Sequence, residues 1–92
     1  MQRKKVKIVN LHGLHMRPAN ELAKAMSAFE ADTFIAFGER EINAKSLMNI
    51  ISAGIKGGCE VEIRCEGRDE EEALEKAVSL ISSAFGEEKI EE

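Results

Sequence analysis

Apolar and charged residues alternate without a break over residues 59–66, with Cys59, Val61, Ile63 and Cys65 on one side and Glu60, Glu62, Arg64 and Glu66 on the other. A period of two is that of a half-buried strand. Residues 5–9 have the same character more briefly, Val6 and Ile8 sharing a face opposite lysines. Between these segments the period changes. Ala19, Leu22, Ala23, Met26 and Phe29 recur every three or four residues, the apolar stripe of an amphipathic helix. Pro18 opens that helix, in a first turn where a missing N–H leaves no bond unmade. Residues 33–37 and 40–43 predict two short strands joined at Gly38-Glu39 as a hairpin.

Residues 46–53 predict a minor helix that Ser46 caps and Gly54 ends. Leu47, Ile50 and Ile51 share one side of it, which leaves Met48 facing outward, where an apolar side chain points to a protein contact. Asp69 and Glu72 have the spacing of a capping box. Ala73, Leu74, Ala77, Val78, Ile81, Ala84 and Phe85 then form a second long stripe. The predicted order is βαββαβα, an α+β fold with a mostly antiparallel sheet on one layer and helices on the other. A single domain over residues 1–92 is expected, with its core over about 3–85 and a charged tail, 86–92, that frays.

The two cysteines change little. On one extended strand they stand about 20 Å apart, well beyond the ~7 Å limit for a bridge, so they read as buried, reduced thiols. Charge is more telling than its net of −4. Residues 1–20 hold Arg3, Lys4, Lys5, Lys7 and Arg17 and no carboxylate, whereas residues 60–92 hold twelve acids against four bases. A chain with no basic stripe through its body is a poor nucleic-acid binder. A small basic face suits an acidic protein or a phosphate. The apolar stretches fall short of the roughly 20 residues that cross a bilayer, and no charged-then-apolar leader opens the chain, so the expectation is a cytoplasmic protein off the membrane. The strongly charged surface predicts a monomer.

Both histidines fall in Leu11-His12-Gly13-Leu14-His15-Met16-Arg17-Pro18-Ala19, between the first strand and the first long helix. A helix N-terminus presents unpaired N–H groups and partial positive charge, a seat for an anion. Arg17 adds a guanidinium that fits phosphate oxygens, and Gly13 lets the backbone turn. A neutral imidazole can form a covalent intermediate whose phosphoryl oxygens such a seat stabilises. The segment brings no carboxylate base and no metal cage, because structural zinc wants four ligands, usually in close pairs. No cofactor is expected. What fits is a group carrier, against the plainer reading of His15 and His12 as capping or surface residues. Ser46 likewise reads either as a simple cap or as a phosphorylation site whose new charge a helix N-terminus tolerates.

Gly13-Leu14-His15-Met16-Arg17-Pro18-Ala19 resembles the active-site signature of the histidine-containing phosphocarrier (HPr) family of the bacterial phosphoenolpyruvate:sugar phosphotransferase system. Lys45-Ser46-Leu47-Met48, with Ile51 and Gly54, resembles that family's second signature, around its regulatory serine. The resemblance implies an open-faced β-sandwich, a four-stranded antiparallel sheet covered on one face by three helices. It implies a carrier protein, not a stand-alone enzyme, in which His15 takes phosphate on Nδ1 from phosphorylated enzyme I and passes it to enzyme IIA domains, with Arg17 on the phosphoryl oxygens. Ser46 would be the target of an HPr kinase/phosphorylase whose product can dock a transcriptional repressor, and Leu47, Met48 and Ile51 the docking surface. Asn49, His12 and Ser27 depart from residues common in the family at those places. Two alternatives stay open, a carrier of the nitrogen-related branch and a regulatory binding protein that acts through phosphorylated Ser46.

Overall fold

A computed structural model describes residues 1–90. In it the strand predicted around the cysteines is the middle of the sheet. That strand, β4 (Glu60–Glu66), lies between β1 (Gln2–Lys7) and β2 (Asp32–Phe37), and β3 (Arg40–Asn43) forms the far edge, in the order β1-β4-β2-β3. Every pairing is antiparallel. Among the described residues the α-helices are α1 (Met16–Ser27), α2 (Leu47–Ala53) and α3 (Glu70–Ser82). They cover one face, so the open-faced α+β sandwich expected from the sequence is the observed fold.

Register assigns each strand residue to a layer. Ile35 lies opposite Ile63 and Ile42, and Val6 opposite Val61. This apolar side meets Leu22 and Met26 of α1, Ile50 of α2 and Ile81 of α3, all fully buried. The other side is left to water. There Lys5 faces Glu62, Lys7 faces Glu60, and Arg64 bonds Glu62 at 2.6 Å and Glu41 at 3.0 Å, opposite-charge neighbours of the kind that stabilise an exposed sheet face modestly. The Arg64 hydrogen bond holds the Glu62 carboxyl below its ordinary range. Gly38 takes φ +61° in the hairpin, whose strands pair Phe37 with Arg40.

Several boundaries move. The first strand starts at Gln2, three residues before the apolar pattern, because Arg3 and Lys4 pair with Arg64 and Ile63 of β4 whatever their polarity. Helix α1 starts at Met16, with Pro18 third within its first turn. Cys65 is buried, but Cys59 stands half-buried just before β4; both thiols are free.

The expected capping box does not form. Asp69 is the residue before α3, yet its side chain makes no cap bond. Its carboxylate accepts instead from the backbone N–H groups of Glu30 at 3.0 Å and Ala31 at 2.8 Å. Ala31 is fully buried, and an orphaned buried N–H costs more than a frayed cap. Asp69 thus ties the α1–β2 connection to the start of α3.

The long second stripe also ends early. Helix α3 stops at Ser82, and Ala84 and Phe85 adopt left-handed φ values of 57° and 53°. Left-handed backbone costs about 1–2 kcal/mol per ordinary residue, about 2–4 kcal/mol for the pair, and burying the Phe85 side chain, 3% exposed, returns about 1.5–3 kcal/mol of it. The turn sends the tail back across the molecule. Of the residues expected to fray, 91 and 92 lie outside the described residues, but Glu88 O accepts from Leu11 N at 2.8 Å and Ile90 N donates to Val9 O at 2.8 Å. Backbone pairing that periodicity does not register holds this end of the chain.

Two predictions follow from these contacts. The backbone bonds from Glu30 and Ala31 lower the Asp69 pKa, so its contribution is present above the ordinary carboxyl value and is lost as pH falls through the lowered folded value. Urea unfolding of Asp69→Ala should show a reduced midpoint at pH 7, with the difference from the parent closing under acid conditions. Phe85→Ala should lower unfolding free energy by about 3–5 kcal/mol, read by the same titration.

Candidate functional site

The loop before α1 is shaped by two backbone demands. Gly13 takes φ +68°, and a Cβ there would run into Ile55 O and the Lys56 backbone. Only glycine lets the loop lie this close to the segment after α2. Leu14 N then donates to Ile55 O at 2.9 Å, and the fully buried Asn10 donates from Nδ2 to Gly13 O at 2.6 Å.

His15 emerges from this clamped loop as the residue immediately before α1, in extended conformation, with its carbonyl accepting from Ala19 N at 2.9 Å. Its side chain is 41% exposed and makes no capping bond. The ring turns to the tail. Nε2 lies 2.9 Å from Glu87 Oε2 and 3.0 Å from Oε1. His12 stands edge-on to it, with ring centroids 6.1 Å apart.

Arg17 shares the same carboxylate. Its Nε and Nη2 lie 3.1 Å and 3.0 Å from Glu87 Oε2, while Nη2 also donates to Phe85 O at 2.9 Å and Nη1 reaches Glu21 at 3.3 Å. Asn10 Nδ2 donates to Glu87 Oε1 at 3.0 Å. Burial works against ionisation of Glu87, but the hydrogen bonds from Asn10, His15 and Arg17 outweigh it and hold the carboxyl below its ordinary range. The expectation of a site without a carboxylate is therefore corrected. The segment around His15 has none, and the far end of the chain supplies one.

The second group of predicted residues sits on α2. Ser46 precedes the helix and its Oγ accepts from Asn49 N at 3.3 Å; Gly54 ends the helix at φ +64°. Met48 is 69% exposed, while Leu47 and Ile51 are half-buried against the core. Ile51 lines a shallow groove of about 350 Å³ with Leu14, His15, Met16 and Ile55. The structure thus joins Ile51 to His15 and leaves Met48 outside that groove. Met16, which lines the groove, and Leu11, in the loop before it, are also exposed and carried no signal in the helical pattern. Glu21 did carry one, its four-residue spacing from Arg17. Nothing local marks Glu87, which lies 72 residues from His15. Among the described residues no three His, Cys, Asp or Glu side chains form a group able to hold a metal, and no helix is long and apolar enough to cross a membrane.

Comparison with known proteins finds relatives over nearly the whole chain. Residues 2–83 match the family model described as the PTS HPr component phosphorylation site. Phosphocarrier protein HPr of Buchnera aphidicola subsp. Schizaphis graminum is 40% identical, covering 89% of this chain and 96% of its own. Its counterpart in Neisseria meningitidis serogroup A is 30% identical over 95% and 98%. The crystal structure of an HPr from Thermoanaerobacter tengcongensis superposes with a TM-score of 0.92 at 41% identity, over 96% of this chain and 99% of that one. Crh, the Bacillus subtilis catabolite repression containing protein, is more distant in shape, with a TM-score of 0.69 at 33% identity over 99% and 100%, in a domain-swapped dimer. Sheet order, the helix-end histidine with its arginine and these matches over nearly the whole chain have one common reading: the chain belongs to the HPr family of phosphocarriers of the phosphotransferase system.

Proposed function

We propose that His15 accepts a phosphoryl group from phosphorylated enzyme I and passes it to enzyme IIA domains, in the cytoplasm and as a monomer within a single folded domain. The observation that carries the reading is the placement of an exposed imidazole at the start of α1 beside Arg17. The first N–H groups of a helix and a guanidinium are the donors that a phosphoryl group needs, and both stand next to the nucleophile. In transfer the imidazole lone pair forms a new N–P bond while the P–N bond of the donor breaks. Arg17 is already held near the site by Glu87 and by Phe85 O, so a phosphoryl group would exchange one acceptor for another on a restrained side chain rather than order a free one.

The groove beside His15 with the exposed Met16 forms the docking surface, together with Leu47, Met48 and Ile51 around α2. A shallow, partly apolar rim suits a transient protein contact. Ser46 is the regulatory site, acted on by an HPr kinase/phosphorylase, its product being read by a transcriptional repressor. A phosphate there keeps an acceptor for Asn49 N and adds about −1.5 to −2 charges beside the docking surface.

Incubation with enzyme I and labelled phosphoenolpyruvate should place acid-labile label on His15, mapped under alkaline conditions by mass spectrometry, and His15→Ala should take none. Arg17→Ala should still be labelled, at a rate reduced about a hundredfold by loss of its oxygen contacts. Label elsewhere, or on His15→Ala, would overturn the assignment. Modification of Ser46 by ATP and a cognate kinase should slow labelling of His15 without unfolding the protein, and Ser46→Ala should be immune to that effect.

A further inference from the structure

We infer that Glu87 is a positioning residue for phosphoryl transfer: its carboxylate fixes the hydrogen of His15 on Nε2, which makes Nδ1 the nucleophile and keeps the ring protonated once it is phosphorylated. The inference rests on the carrier reading of His15 and adds to it a group from the tail.

An ionised carboxylate has no hydrogen to donate, so a contact of 2.9–3.0 Å from both its oxygens to Nε2 requires that nitrogen to carry the hydrogen. The neutral ring then has its lone pair on Nδ1 alone. Glu87 is itself held firmly. Asn10, fully buried, and Arg17 both donate to it, and the backbone pairings of Leu11 with Glu88 and Val9 with Ile90 fasten the chain on its far side. Its side chain is only 17% exposed. A carboxylate so placed orients an imidazole as the buried aspartate of a hydrolase triad does, by fixing the tautomer and stabilising the ring cation without taking its proton.

The transfer balances without a further acid or base. The Nδ1 lone pair forms the N–P bond, the P–N bond of the donor's phosphohistidine breaks, and its electron pair returns to the donor ring. The hydrogen on Nε2 stays in place. The phosphorylated ring is therefore cationic, and Glu87 faces that charge. On onward transfer the N–P bond breaks, its pair returns to Nδ1, and His15 leaves as the neutral ring with which it began. The other charged or titratable groups around the ring are Arg17 and Glu21 from α1, His12 from the loop and Lys56 from the segment before β4. Glu87 is the one in direct contact with Nε2 through both oxygens.

Nitrogen-15 NMR of the unphosphorylated protein at alkaline pH reads the tautomer directly. The parent and Glu87→Gln, whose amide oxygen still accepts, should show a pyrrole-type Nε2 and a pyridine-type Nδ1. Glu87→Ala should relax to an exchanging mixture. Equal tautomer populations in the parent and Glu87→Ala would overturn the inference. Phosphoramidate, a chemical donor that needs no enzyme I, then supplies the phosphorylated protein for decay measurements. The acid-accelerated limb of the parent should extend to higher pH than in Glu87→Gln or Glu87→Ala, both of which lack the negative charge. Superimposable decay profiles would also overturn it. Failure of enzyme I to label His15 would sink the carrier reading by itself and leave both of these readouts standing.

Discussion

Burial of Phe85 obliges the chain to leave α3 through two left-handed residues, and the candidate site depends on that exit. Had Ala84 and Phe85 continued the helix, the tail would have run on past the sheet into solvent. Turned as it is, it lies along residues 9–11, brings Glu87 to His15 and Arg17, and aims Phe85 O at the guanidinium. The cost is local backbone strain and the return is the apolar core, so the polar site is assembled as a consequence of packing elsewhere. Gly13 contributes from the other side, since only its missing Cβ allows the histidine loop to seat against Ile55 and Lys56.

What was legible in the sequence is what short-range periodicity encodes. The alternation through Val61, Ile63 and Cys65 gave the central strand, the stripe from Ala19 to Met26 gave α1, and Ser46 and Gly54 marked the ends of α2 as capping chemistry requires. The candidate loop was legible too, because histidine, arginine and proline stand within a few residues of each other at the start of α1. The failures have a single physical character. Asp69 has a local role available as a cap and a distant one at Glu30 and Ala31, and the distant pair, with the buried Ala31 N–H in it, wins. Glu87 sits in a polar tail with no apolar pattern, and its partners are reached only through the fold. Pairwise contacts across 38 or 72 residues leave no trace in local spacing.

Electrostatics at the site are more balanced than the basic N-terminal segment suggested. Five positive side chains precede residue 21 without a carboxylate, but Lys5 and Lys7 face the acids of β4 on the open side of the sheet. Arg17 alone of the five joins the histidine, and it meets Glu21 and Glu87. The polarity of the chain ends is thereby used twice, once across β1 and β4 and once between the first helix and the tail. Both are opposite-charge contacts at a partly wet surface, where each is individually modest.

That balance suits a group which has to be given away. A guanidinium and a helix end with no counter-charge would hold a phosphoryl dianion strongly, and whatever stabilises the phosphorylated form beyond the donor slows its departure to the next protein. Glu87 already occupies Nε and Nη2 of Arg17. A phosphoryl group that draws on the same guanidinium must therefore compete with a carboxylate, and gains only the difference between the two. On the route proposed for His15, the same carboxylate would face a cationic phosphorylated ring, which would leave as a neutral imidazole. In a carrier the relevant quantity is the near-equality of the charged and discharged states, and a carboxylate facing both the histidine and the arginine moves them towards it from each side.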